Sequence, residues 1–400
     1  GMNAERNIEI EYLRGIAVVM AAVSHLPVLL PFYNDNVLLQ LFSVYIPWTG
    51  VDLFFCISGY VVAMSFVGFI DKHKSEGNFW LAAQCFWIRR IFRLLPSAWA
   101  WMIIGILLSV FFNHTGLYNT LYQNVRSASV ILTFSGNFAN QFGMLLTPND
   151  VYWSLALEEQ FYLLFPLFLL ITPIAWRWRI LLSLIALQFF LDRNPFATFF
   201  TSMAWSVRLD AMMWGILIFI FSKSAQYRLF APVFLKQSRL TALSLNALLF
   251  YLLGAIPTQL IAMPIAIGLI AIVSAILVLM ASYQAKYICN IPFTSGILNW
   301  IGTRSYAIYL AHMPCYRASY EAWFRYTKSI HHPLDATYAP LMVLTAVILI
   351  AVMAELNFRL LENPLRQFGI ALSAKRLKRL RGSNAGQSGE QAFASTHDAP

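Results

Sequence analysis

The run Leu13 to Pro27, LRGIAVVMAAVSHLP, sets an arginine and a histidine inside otherwise apolar chain. At about 100° per residue, the step from Arg14 to His25 returns close to its starting direction. Both side chains therefore lie on one helix face, about 16 Å apart. An imidazole can take and return a proton, and a guanidinium can hold an anion through paired hydrogen bonds. Ionisable groups in a membrane-length run are costly and usually face a bundle interior or an aqueous cavity, which points to function. The structural reading of the same pair is an interfacial anchor at Arg14 and an interhelical hydrogen bonder at His25.

Membrane helices must position these groups. The chain is 59% hydrophobic with 12% charged residues, about half the charged share of a soluble domain, and its mean hydropathy is +0.63. The first apolar run reaches the His25 region with no small-residue cleavage site behind it, so a cleaved leader is not expected. Cys56, Cys85, Cys289 and Cys315 show no paired spacing, so neither a disulfide framework nor a metal site is expected. Apolar segments near 13–32, 45–70, 86–112, 152–175, 178–192, 203–222, 240–256, 260–281, 298–316 and 338–361 give an all-α polytopic transmembrane bundle of about ten spans, nine to eleven being compatible. With the N-terminus in the cytoplasm, outside segments hold only Arg126, Arg193, Arg317, Arg325 and Lys328, while most of the 28 Lys and Arg fall inside. Both termini are therefore expected in the cytoplasm, and the net charge of +10 reads as topology rather than as a nucleic-acid surface. Residues 1–370 read as one membrane domain. Residues 371–400 read as a tail, first basic (KRLKRLR, suited to anionic lipid) and then disordered (GSNAGQSGEQAFASTHDAP). The outside connection 113–151 mixes aromatics with Asn, Gln and Thr, and its stretch Ser129 to Gln141 suits a re-entrant or interfacial element over the bundle mouth.

Counted inward from the segment ends, His25, Asp52, Glu158 with Glu159, Asp210 and His312 fall at one level toward the outside, as the walls of a polar cavity would. Arg14, Arg90, Arg93 and Arg304 form a second level toward the cytoplasm, where clustered cations can hold phosphates. An activated donor with a phosphorylated end and a reactive end about 16 Å away fits this layout, and acyl-coenzyme A has that shape. A histidine beside a carboxylate would then deprotonate an acceptor hydroxyl that attacks the thioester carbonyl.

Seven stretches in order then resemble one family. They are Arg14 with His25; GVDLFFCISGY, Gly50 to Tyr60; FWIRRIFRLLP, Phe86 to Pro96; WSLALEEQFYLLFP, Trp153 to Pro166; RLDAMMWG, Arg208 to Gly215; IGTRSYAIYLAHMP, Ile301 to Pro314; and ENPLR, Glu362 to Arg366. The chain resembles the bacterial acyltransferase family 3, integral membrane enzymes that O-acylate surface polysaccharides and related acceptors. The resemblance implies that His25 is the catalytic base, that Arg14 assists the donor site, and that Arg90 and Arg93 bind the phosphates of acyl-coenzyme A, in most cases acetyl-coenzyme A. It implies further that Glu158, or Glu159 in its place, orients the histidine. Asp52, Trp153, Ser154, Tyr162, Asp210, Tyr309 and His312 would line the substrate cavity. The acceptor would be a surface polysaccharide, a lipid-linked glycan or another hydroxyl compound, with the chain in the bacterial inner membrane among its lipids. Oligomerisation to a homodimer and association with glycan-assembly proteins both stay open.

The sequence departs from the family pattern at Cys56, where valine is usual. No hydrolase-like domain of the kind some members append is read in the chain, so a partner or the membrane part itself is expected to handle the acceptor. Direct transfer and an acyl-histidine intermediate are both compatible. The alternative from another class is a transporter or flippase of a glycan or lipid-linked precursor, for which buried charges are equally ordinary.

Overall fold

The computed structural model describes residues 6–288, 291 and 293–395, with side chains except at 140 and from 384 onward. Every regular element among them is helical. Asn7 caps α1 (Ile8–Ser24): its side-chain oxygen accepts the Glu9 and Ile10 backbone N–H groups at 3.0 and 3.2 Å. The helix stops at His25, because Pro27 lies in the first turn of the short α2 (Leu26–Leu29) and has no N–H to continue the ladder. His25 thus stands at a bend rather than mid-helix. There follow α3 (Val37–Val44), α4 (Gly50–Ser75), α5 (Phe79–Phe111), α6 (Leu121–Leu132), α7 (Tyr152–Ile171), α8 (Arg177–Phe189), α9 (Phe199–Ser206), α10 (Asp210–Ser222), α11 (Arg239–Ala255), α12 (Ala266–Ser282), α13 (Ser295–Thr303), α14 (Ser305–Ser329), α15 (Ala339–Asn357) and α16 (Asn363–Ser395).

The bundle closes on α1, which packs against α4, α12, α13 and α14. The α4–α10 crossing is set by reciprocal glycines. Gly59 lies against the Met212 carbonyl and Gly215 against the Cys56 carbonyl, with no space for a Cβ at either. Close backbone approach through small residues is how helices associate where lipid removes the hydrophobic drive between them. Gly302 of α13 meets the Glu11 carbonyl of α1 in the same way.

Where ten spans were expected, six stretches among the described residues are long and apolar enough to cross a membrane: Pro47–Ser75, Phe79–Phe111, Tyr152–Ile171, Phe199–Ser222, Arg239–Gln259 and Ala336–Ser383. The shorter α12 is also apolar. The others fall short for physical reasons: α1 has 17 residues, α8 has 13, and α14 carries His312, Arg317, Glu321 and Arg325 on its 25 residues. The 203–222 run is two helices, broken at Val207–Leu209. The 113–151 connection holds α6 and a 3₁₀ turn at Gly136–Phe142, which the Gln141 amide ties to α9 through the Ser202 and Ser206 hydroxyls at 2.9 and 2.7 Å. The tail after Arg381, read from sequence as disordered, is helical as far as Ser395. A π-helical turn at Phe358–Glu362 joins α15 to α16, and helix continues through Ser395, since extending a helix costs less than starting one. Residues 396–400 of that tail, and Cys289, lie outside the described residues; Cys56, Cys85 and Cys315 are buried free thiols.

Candidate active site

Two cavities lie along α1. The inner one, of about 80 Å³, is lined by Arg14 from α1, Ser58 from α4, Arg90 and Arg93 from α5, and Glu158 and Tyr162 from α7. Arg90 and Arg93, three positions apart, share a face of α5. The Arg90 guanidinium lies 5.0 Å from the centre of the Tyr162 ring, and its Nε is buried without a hydrogen-bond partner among the described residues. The outer cavity, of about 490 Å³, is lined by His25 and Ser24, by Trp48, Trp153 and Trp205, and by Asn137, Gln141, Ser202 and Ser206. Val51 and Tyr309 line both cavities and so form the wall between them. In that wall the Tyr309 hydroxyl is 2.6 Å from Ser154 Oγ.

Several expected site residues come together, with neighbours that differ from those expected. Glu158 does not meet His25. Its carboxylate accepts the Ser58 hydroxyl at 3.0 Å and the Tyr162 hydroxyl at 3.5 Å, among the three arginines, because α7 carries it past Ser154 to the inner cavity. Glu159 faces away, onto a groove lined by Trp87, Phe138, Leu163 and Leu164. The partner of His25 is His312, with Nδ1 of the first 2.9 Å from Nε2 of the second. His312 is fully buried and lines neither cavity.

Asp52 and Asp210 also leave the cavity lining, as a correction to their expected place. Each is 2% exposed and held by an arginine: Asp52 by Arg208 Nε at 2.9 Å, Asp210 by Arg193 Nη1 at 2.9 Å. Buried acids in an apolar bundle need such partners, and burial of all four groups explains why they pair rather than line water. The Arg208 guanidinium lies 4.0, 4.9 and 5.6 Å from the ring centres of Trp205, Trp153 and Trp48. The Asp52–Arg208 pair thus braces the aromatic wall from behind, through cation–π contact. Trp153 lines the outer cavity, Ser154 and Tyr162 the inner one, and Tyr309 both. Arg304 pairs with Glu355 and is not among the residues that line either cavity.

Sequence reasoning missed Trp48, Trp205, Asn137, Gln141, Ser58, Ser202 and Ser206. The signal was present in part: Trp48 stands two residues before GVDLFF and Trp205 three before Arg208, both flanking stretches already singled out.

A family model described as an acyltransferase domain matches residues 7–355. The peptidoglycan O-acetyltransferase OatA of Listeria monocytogenes is 28% identical over 354 residues, which is 80% of this chain and 51% of that protein. The "Putative peptidoglycan O-acetyltransferase YrhL" of Bacillus subtilis is 25% identical over 349 residues, 82% of this chain and 52% of that protein. The chain thus spans about half the length of these curated relatives. No solved structure matches.

Proposed function

The chain belongs to this acyltransferase family, and from that premise we propose an O-acetyltransferase of the bacterial inner membrane. It takes an acyl group from acyl-coenzyme A on the cytoplasmic side and delivers it to a hydroxyl of a cell-surface glycan on the outer side, with His25 as general base. The observation that carries this reading is the pair of cavities back to back along α1, one lined by arginines and the other by His25 and tryptophans, meeting at Val51 and Tyr309.

The inner residues fit the donor. Arg14, Arg90 and Arg93 offer paired donors to phosphate oxygens, and the unpartnered buried Nε of Arg90 is a donor that such an anion would satisfy. The outer residues fit a sugar ring, whose C–H faces stack on indole and whose hydroxyls bond amides and hydroxyls. Its volume of about 490 Å³ lies within the usual range for small-ligand sites. The names of the relatives support peptidoglycan as the polymer. In the transfer, His25 takes the proton of the acceptor hydroxyl as that oxygen bonds to the thioester carbonyl carbon. The C–S bond breaks, and the proton goes to the departing thiolate, giving an O-acyl ester and free coenzyme A thiol. Family membership does not favour a transporter without transfer chemistry.

His25→Ala tests the reading. In purified, correctly folded protein the variant should lose about 10²–10⁴-fold in acyl transfer, read as labelled acetyl appearing on glycan. Undiminished transfer would remove the base assignment.

A further inference from the structure

We propose that His312 is a positioning residue that fixes His25 as its Nδ1–H tautomer, leaving the His25 Nε2 lone pair free as the base toward the outer cavity. The inference rests on His25 being the base, and adds what prepares it.

The argument follows the proton from one atom to the next. His312 Nδ1 lies 2.6 Å from the Tyr309 backbone carbonyl oxygen. A carbonyl oxygen only accepts, so Nδ1 must carry the hydrogen. A neutral imidazole holds one N–H, which makes His312 Nε2 an acceptor. That acceptor is 2.9 Å from His25 Nδ1, so His25 Nδ1 must donate, and its Nε2 is left unprotonated on a ring that lines the outer cavity. The order of donors is thus set at its far end by the backbone of α14.

The surroundings hold this order in place. The Tyr316 hydroxyl donates to the Ala22 carbonyl at 2.7 Å, fastening α14 to the last turn of α1 beside His25. The rings of Tyr309 and Tyr316 lie 5.6 and 5.8 Å from His312, and the residue is 0% exposed, so water does not compete for its nitrogens. The carboxylate of Asp150 is taken by Arg317 Nη2 at 2.9 Å and the Thr147 hydroxyl at 3.0 Å. An imidazole therefore occupies the orienting position that a carboxylate fills in many histidine-based sites.

The test uses the full chain in lipid nanodiscs with ring-¹⁵N histidine, the His25 signals being assigned by their loss in His25→Asn. In the wild type at neutral pH, His25 Nδ1 should give a protonated-type and Nε2 an unprotonated-type resonance. The reverse pattern overturns the proposal whatever any variant does. His312→Phe offers no acceptor. It should mix the two His25 tautomers and lower kcat about 10²–10³-fold, with KM for acyl-coenzyme A within about twofold. In His312→Gln the amide oxygen can accept and the amide nitrogen can donate to Tyr309, so it should restore the wild-type His25 pattern and most of kcat. Loss of kcat in both variants with an unchanged His25 spectrum would make His312 a packing residue and overturn the inference. If instead His25→Ala stays fully active while the wild-type spectrum is as expected, the base reading fails and the tautomer assignment stands.

Discussion

At the scale of single residues, the charges divide into those that face a cavity and those that hold the cavity's walls. Arg90 belongs to the first kind, with a buried Nε that nothing described satisfies. Arg90→Ala should raise KM for acyl-coenzyme A about 10–100-fold, as expected for one lost hydrogen bond between charged groups of about 1.5–3 kcal/mol. Steady-state kinetics would show kcat little changed, and a shift confined to the KM of the acceptor would contradict the phosphate role. Arg208 belongs to the second kind. Arg208→Met leaves Asp52 buried and unpaired and should destabilise by about 3–5 kcal/mol, whereas the double variant with Asp52→Leu should recover most of it. Thermal unfolding in detergent measures both. From sequence, Asp52, Asp210, His25 and His312 were read as one level in the membrane. Which residue pairs with which was not legible, because the partners lie 156, 17 and 287 positions apart and only the fold brings them close. Glu158 was expected beside His25 and stands instead in the arginine-lined cavity, since depth along a helix does not say which neighbour a side chain turns toward.

At the scale of elements, two devices position the site: the proline-induced stop of α1 at His25, and backbone contact between helices through glycine. The second makes a paired prediction. Gly59→Ala forces a methyl into the Met212 carbonyl and should destabilise by about 1–3 kcal/mol or more. Gly68→Ala, on the same helix with open space at its Cβ position, should be neutral or stabilising by up to about 1 kcal/mol. Equal melting temperatures for the two would contradict the close crossing of α4 and α10. The hydrophobic runs announced α7, α8, α11 and α15 to within about four residues, but began α5 seven residues late and gave as one run, 298–316, what is α13 and an α14 that reaches Ser329. They did not announce the break at Val207–Leu209, or that α6 would begin at Leu121, because those boundaries depend on caps such as Thr120, whose hydroxyl accepts the Gln123 N–H at 3.1 Å. Nor did the GVDLFFCISGY and RLDAMMWG stretches reveal that Gly59 and Gly215 serve a single crossing.

At the scale of the whole molecule, the distribution of charge supports the proposed orientation. Three of the four arginines expected outside are engaged in ion pairs, Arg193 with Asp210, Arg317 with Asp150 and Arg325 with Glu321, so that face carries less free positive charge than a count of residues suggests. In the proposed orientation the arginine cavity faces the cytoplasm and the His25 cavity the outside, so under the proposal donor and acceptor approach from opposite faces of the bundle. A sided assay in proteoliposomes of uniform protein orientation tests this most directly, with labelled acetyl-coenzyme A and a glycan acceptor supplied in each combination of compartments. The acceptor should be labelled when acetyl-coenzyme A is given only on the arginine face and the glycan only on the His25 face, and should stay unlabelled in His25→Ala. Labelling only when both are given on the same face would contradict transfer through the bundle.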